Sequence, residues 1–170
     1  MRSRSPSALK DSQPPPRPAR QGLFLAALLL LWASFIFATS CTVVRPQDFF
    51  DWIHRHLFQS DFFFASFQAF WGLSWFTIVK GWHAIEFAIL LLFLVAAVDW
   101  LTGRRAARNV AVGVVLCVVF AASDEWHQTF VPDRGGTVTD VFIDSLGVLV
   151  AASFLLHRLK NAAGQPTLIS

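Results

Sequence analysis

Charge is scarce in this sequence: Asp, Glu, Lys and Arg make up 15% of 170 residues, whereas 55% are hydrophobic. A soluble domain carries about a quarter charged residues, so this balance argues against a water-covered core and for one compact helical membrane domain. The mean hydropathy of +0.52 agrees. Tyr is absent, and the aromatic residues, 15% of the chain, are all Phe and Trp. Trp favours the membrane interface, where its ring is buried and its N–H stays wet. There are two cysteines, Cys41 and Cys117, in or beside separate apolar runs, which supports neither a disulfide framework nor a thiolate metal site. Both are expected to be packing residues. The sequence also lacks an H-E-x-x-H pair, a serine elbow, a P-loop and a glycine-rich dinucleotide turn. Serine nucleophile chemistry and nucleotide binding therefore have no sequence support, no metal or cofactor is assigned, and nothing points to nucleic acid.

What is present reads as four membrane spans between polar ends. Residues 1–21 are basic and rich in proline, with too few apolar side chains to repay ordering, and are expected to form a disordered tail. The uncharged run Gly22 to Thr42 is long enough to cross a hydrocarbon core of about 30 Å. Ala38-Thr39-Ser40-Cys41 loosely resembles a lipobox, but Leu is preferred where Ala38 stands and the polar tail is long for a signal peptide, so a retained helix is expected. Between Asp48 and Phe58, apolar residues at helical spacing alternate with Asp51, His54, Arg55 and His56, which suits an amphipathic helix in the headgroup region. His54 and His56, two residues apart, point to different sides of a helix and are read as solvated rather than metal ligands. Phe62 to Phe70 is expected to be interfacial or partly re-entrant, with a bend at Gly72 and a second span from about Trp75 to Trp100. The third span is placed at about Ala106 to Ser123 and the fourth at about Val138 to His157, joined by the turn Pro132-Asp133-Arg134-Gly135-Gly136. The fold class is thus all-α, a membrane four-helix bundle with an extra interfacial amphipathic segment between the first and second spans. Residues 22–158 form the membrane domain and 159–170 a short polar tail.

The basic residues orient it. Arg2, Arg4, Lys10, Arg17, Arg20, Arg104, Arg105, Arg108, Arg158 and Lys160 fall on one face, which leaves Arg45, Arg55, Lys80 and Arg134 on the other. By the positive-inside rule both termini are cytoplasmic in a multi-pass plasma (inner) membrane protein, and Asp99 at the inner end of the second span answers Arg104 or Arg105.

That topology brings three polar groups to the outer face. Lys80, His83 and Glu86 recur every three residues at the start of the second span. Asp124, Glu125, His127 and Gln128 close the third, and Asp140 and Asp144 share a face of the fourth. Glu86 and Asp144 lie several residues past the interface, where a charge facing lipid costs roughly 2.5 kcal/mol or more, so both should face the bundle interior.

Read together, Asp124-Glu125-x-x-Gln128-x-Phe130-x-Pro132-x-Arg134, then Asp140 and Asp144-x-x-Gly147, resemble the signature of VanZ-like membrane proteins. Lys80-x-x-His83 is similar to that family's other motif, and the likeness spans roughly residues 22–158. In the family the position of Asp144 is commonly Asn and the outer segment before Lys80 is often shorter. The resemblance implies a cell-envelope protein; the founding member is associated with resistance to the glycopeptide teicoplanin, a phenotype that family likeness alone does not transfer.

The leading expectation is an outward-facing site that engages an anionic lipid headgroup, a lipid-linked envelope precursor or a glycopeptide. Arg134 and Lys80 would hold the anion, and His83, Glu86, Asp124, Glu125, Gln128, Asp140 and Asp144 would arrange it. Two other classes stay open. One is a membrane-embedded, metal-assisted hydrolase or transferase acting on a lipid-linked phosphate or ester, with catalytic candidates Glu125, Asp124, His83 and Glu86. The other is a structural protein in which these charges only join helices.

Overall fold

The computed structural model describes residues 17–42, 46–57 and 61–163, all of whose regular structure is helical. Helix α1 spans Ala19–Ser40, α2 Pro46–Leu57, α3 Asp61–Thr102, α4 Ala107–Gln128 and α5 Val138–Ala163. Four stretches are long and apolar enough to cross a membrane: Ala19–Ser40, Thr77–Thr102, Ala107–Gln128 and Val138–Ala163. The expected amphipathic segment is α2. The polar tail expected at 1–21 lies outside the described residues up to residue 16, and α1 starts three residues before Gly22.

The helix α3 corrects the expectation of a re-entrant segment and a bend at Gly72, because its 42 residues run unbroken from Asp61 to Thr102. A glycine inside a helix costs only about 1 kcal/mol relative to Ala, which the turns on either side carry. Among the described residues, no neighbouring element comes within 4 Å of where a Cβ on Gly72 would stand. At 1.5 Å per residue the helix is about 63 Å long, roughly twice the hydrocarbon thickness, so its first turns continue beyond the span that begins at Thr77. Helix α2 lies on this extension. Phe50 and Ile53, its buried apolar residues, give it a packed face, and Phe50 meets Phe67 edge-on with ring centroids 6.3 Å apart. His54 stacks on Phe64 at 4.1 Å and His56 on Trp52 at 4.9 Å, so the two histidines diverge as their spacing implies.

The rest of α3 is the axis of the bundle, touching α1, α4 and α5. The core is built from Ile36 of α1, Phe87, Leu90, Leu91 and Val95 of α3, Val110, Cys117 and Ala121 of α4, and Val148, Ala151 and Ala152 of α5. Small residues on α4 and α5 let the backbones approach, as helix packing in lipid requires. Outward-facing Leu30, Val115, Val119, Val150 and Phe154 are exposed, the arrangement expected where the solvent is hydrocarbon.

At one end of the bundle the turn after α3 is held by Asn109, whose Nδ2 donates to Asp99 Oδ1 at 2.7 Å, Thr102 Oγ1 at 2.9 Å and the Arg104 carbonyl at 2.8 Å. Asp99 is therefore answered by Asn109 and, among the described residues, not by Arg104 or Arg105; a buried amide in the first turn of α4 reaches it, while both arginine side chains are exposed. Arg17 closes the same end by donating Nη1 to the carbonyls of Asp99 and Trp100.

Candidate functional site

The other end of the bundle collects the polar residues that the sequence singles out. Along α3 the order is Lys80, Trp82, His83 and Glu86. Lys80 Nζ donates to Asp140 Oδ1 and pairs with it, which ties the beginning of the span to the first turn of α5. His83 Nδ1 lies 3.1 Å from Glu86 Oε2, one turn further in, and Trp82 Nε1 donates to Glu86 Oε1 at 2.7 Å. Glu86 is fully buried, and Trp32 of α1 donates to its backbone carbonyl at 2.9 Å. A carboxyl group so far inside a helical bundle needs such partners, since lipid offers none.

Helix α4 ends in Asp124, Glu125 and Gln128, all buried. Consecutive residues on a helix point about 100° apart, so the two acids serve different walls. Asp124 turns toward α1 and accepts from Ser40 Oγ at 2.6 Å. Glu125 turns toward the start of α5 and accepts from the Thr137 amide at 2.9 Å. Gln128, one turn on, bridges them by donating Nε2 to Asp124 Oδ2 at 2.9 Å and to Glu125 Oε1 at 3.0 Å. Thr137 in turn accepts from the Asp140 amide through Oγ1, which caps α5. Asp140, in the first turn, is also well placed against the helix dipole.

Helices α3 and α5 cross very closely here. A Cβ on Gly147 would strike the Ala84 carbonyl and its Cα, so only glycine admits this approach. Asp144 sits between Asp140, which holds Lys80, and Gly147, which lies against Ala84. It therefore faces α3 at the level of His83. It is 2% exposed, and among the described residues neither its Oδ1 nor Asp124 Oδ1 accepts a hydrogen bond.

Arg134 is positioned by the turn before α5, where Asp133 adopts a left-handed conformation at φ 61° and the Arg134 amide donates to the Val131 carbonyl. Short polar residues tolerate that conformation better than others. Its Nη1 donates to the carbonyls of Thr39 and Ser40 at 2.8 Å each and of Thr42 at 2.6 Å. The first two belong to the last turn of α1 and the third lies just past it, and Thr39 O also accepts from Thr42, so the guanidinium helps close a helix end and meets the negative pole of its dipole.

The structure thus brings together Lys80, His83, Glu86, Asp124, Glu125, Gln128, Arg134, Asp140 and Asp144, all nine residues named from the sequence. It adds a fourth wall that no sequence signal marks: Thr39 and Ser40 of α1, with Thr39 Oγ1, which donates to the Ile36 carbonyl at 2.8 Å, lying 3.4 Å from Glu86 Oε1. Hydroxyls in an apolar helix are ordinary and give no local signal, whereas the Trp82–Glu86 pair was readable from its i, i+4 spacing. His127 lies aside, its ring 4.6 Å from Phe37 and its Nε2 3.5 Å from Cys41 Sγ. Among the described residues, no group of three or more His, Cys, Asp and Glu is arranged to hold a metal ion.

Four membrane-length helices around an acid-rich polar cluster define a multi-pass helical membrane protein. The VanZ/LLP1 family model matches residues 23–160, most of the chain, and the chain belongs to that family. No curated protein and no solved structure matches it.

Proposed function

We propose that this is a cell-envelope protein of the plasma membrane, with both termini cytoplasmic, whose polar cluster faces outward. There it engages the amine of a lipid headgroup or lipid-linked envelope precursor. The observation that carries this reading is Asp144, buried and with an oxygen that accepts no hydrogen bond. It belongs to a set in which Glu86, Asp124, Glu125, Asp140 and Asp144 outnumber the permanent cations Lys80 and Arg134. Lys80 already answers Asp140, and Arg134 has Nη1 on the α1 carbonyls. What the cluster has to spare is acceptor capacity, which a primary ammonium with three N–H donors satisfies better than a phosphate does. The anionic ligand expected from Arg134 and Lys80 is the less favoured form of the same envelope reading.

The test uses two zwitterionic lipids that differ in the amine. Purified protein is titrated with dioleoyl phosphatidylethanolamine and dioleoyl phosphatidylcholine, and bound lipid is counted by native mass spectrometry. Wild type should retain the ethanolamine lipid better, and Asp144→Asn should erase the preference. The family commonly carries Asn at this position, so the variant is expected to fold. A second reading, that the cluster only joins helices, is favoured by the Arg134 and Ser40 contacts to α1. It prevails if wild type shows no preference between the two lipids and Asp144→Asn changes stability alone.

A further inference from the structure

At the opposite end of the bundle α1, α3, α4 and α5 leave a cavity of ≈ 630 Å³, within the size range of ligand sites. Its rim carries Arg17, Arg105 and Arg158, and its walls are apolar, with Leu92, Val110 and Leu155 among them. Among the described residues no carboxylate pairs with Arg105 or Arg158; Arg158 instead lies over the Phe154 ring at 5.8 Å. The one acid in the lining, Asp99, is engaged by Asn109. Two further features seek an acceptor. Trp100 Nε1, on a ring that lines the cavity, is buried without a hydrogen-bond partner. Helix α4 starts beside it at Ala107 with no side-chain cap; the Asn109 and Val110 amides use the Ala106 carbonyl, which leaves those of Ala107 and Arg108 without an acceptor among the described residues. On the far side of Trp100 lies a second cleft of ≈ 420 Å³ lined only by apolar residues, among them Leu23, Ala26 and Leu101.

The geometry points to a binding site for an anionic phospholipid, its phosphate held by Arg105 and Arg158 and its two chains running into the two clefts that Trp100 lines. Arginine grips phosphate oxygens through paired N–H donors, and basic recesses between membrane helices are where anionic headgroups dock. The two-cleft shape separates this ligand from a free phosphate, which would use the rim and leave the apolar walls empty. The site is independent of the acidic cluster, on a different end of the molecule.

The experiment takes the full chain in neutral detergent and titrates dioleoyl phosphatidylglycerol, dioleoyl phosphatidylcholine or inorganic phosphate, reading bound species by native mass spectrometry. Phosphatidylglycerol should be retained in preference to phosphatidylcholine. The double variant Arg105→Gln/Arg158→Gln should weaken phosphatidylglycerol binding by about fivefold for each arginine removed. Both side chains are exposed, so the variant should fold. Arg104→Gln, exposed at the same end but outside the cavity lining, should bind as wild type and so separates a site from general surface charge. Equal retention of the two lipids, or undiminished phosphatidylglycerol binding by the double variant, overturns the proposal. Displacement of phosphatidylglycerol by millimolar inorganic phosphate also overturns it and assigns the rim to free phosphate.

Discussion

The crossing of α3 and α5 should be the least forgiving point in the bundle, and Gly147→Ala tests it with a single methyl group. The built Cβ would overlap the Ala84 carbonyl oxygen, carbon and Cα, all backbone atoms, so no rotamer change can relieve the clash. The helices must move apart, which disturbs Lys80–Asp140 two turns of α5 away and opens the space around Asp144. Forcing a methyl into a packed contact costs about 1–3 kcal/mol, and the backbone neighbours place this case at the upper end. Two glycines give the scale. At Gly113 the Cβ would come within 2.8 Å of Val95 Cγ2 and 2.9 Å of Leu91 Cδ1, flexible side-chain ends that can shift, so Gly113→Ala should cost less. At Gly135 nothing lies within 4 Å, and Gly135→Ala should be close to neutral. The assay is unfolding in mixed detergent micelles, followed by far-ultraviolet circular dichroism on the three variants side by side. If Gly147→Ala unfolds with wild type, or if the order of Gly147 and Gly113 reverses, the close crossing is wrong and the placement of Asp144 against α3 falls with it.

Arg134→Ala should destabilise the fold by about 2–4 kcal/mol in the same assay, since three α1 carbonyls lose a charged donor, and Arg134→Lys should restore only part of that. Ser40→Ala removes the Asp124 Oδ2 partner from α1 and should cost about 1–3 kcal/mol, whereas Ser153→Ala, whose hydroxyl bonds only its own helix at an exposed position, should cost under about 0.5 kcal/mol. Asn109→Ala should lower stability by about 2 kcal/mol through three lost bonds at the basic end. Orientation has its own check: in a Cys41→Ser background, which removes the exposed thiol at the end of α1, an impermeant thiol reagent applied to intact cells should label Gly135→Cys and leave Arg104→Cys unlabelled, and the reverse pattern would invert the proposed topology.

How much of this was legible beforehand follows from what each feature depends on. Spans show in a sequence because lipid demands about twenty apolar residues in a row, a local property, and all four are readable to within a few residues apart from the C-terminal ends of α4 and α5, which run on past the apolar stretch. The acids of the cluster were readable for the converse reason, because each charge inside an apolar run is costly and stands out. The path of α3 was not. No reversing loop fits between Phe62 and Lys80 and none forms, but a single helical glycine at Gly72 does not bend the helix. In the sequence Arg134, like Lys80, reads either as an anion-holding residue or as a partner of the acids. Its observed acceptors are backbone carbonyls more than ninety positions away, and no property of those residues' side chains advertises them.

The position of Arg134 also bears on how the polar cluster could operate. The residue belongs to the turn that feeds α5, yet it grips the end of α1, and α1 supplies Ser40 to Asp124. Gln128 joins Asp124 to Glu125, and Glu125 holds the Thr137 amide at the start of α5. The contacts form a closed circuit through α1, α4, the turn and α5. A circuit of this kind fixes the walls independently of any ligand, because each link is an internal partner with defined geometry. Asp144 stands outside it: no link of the circuit uses its carboxyl group, which is held in place by the α5 backbone and the Gly147 crossing. Replacing a circuit member should therefore loosen the fold and weaken amine binding together. Asp144→Asn should separate the two, losing the amine preference while the unfolding transition stays at or above that of wild type, since it removes a buried carboxyl oxygen that accepts no hydrogen bond. If stability and lipid preference instead fall in step for Asp144→Asn, the residue is one more tie between helices and the amine site is refuted.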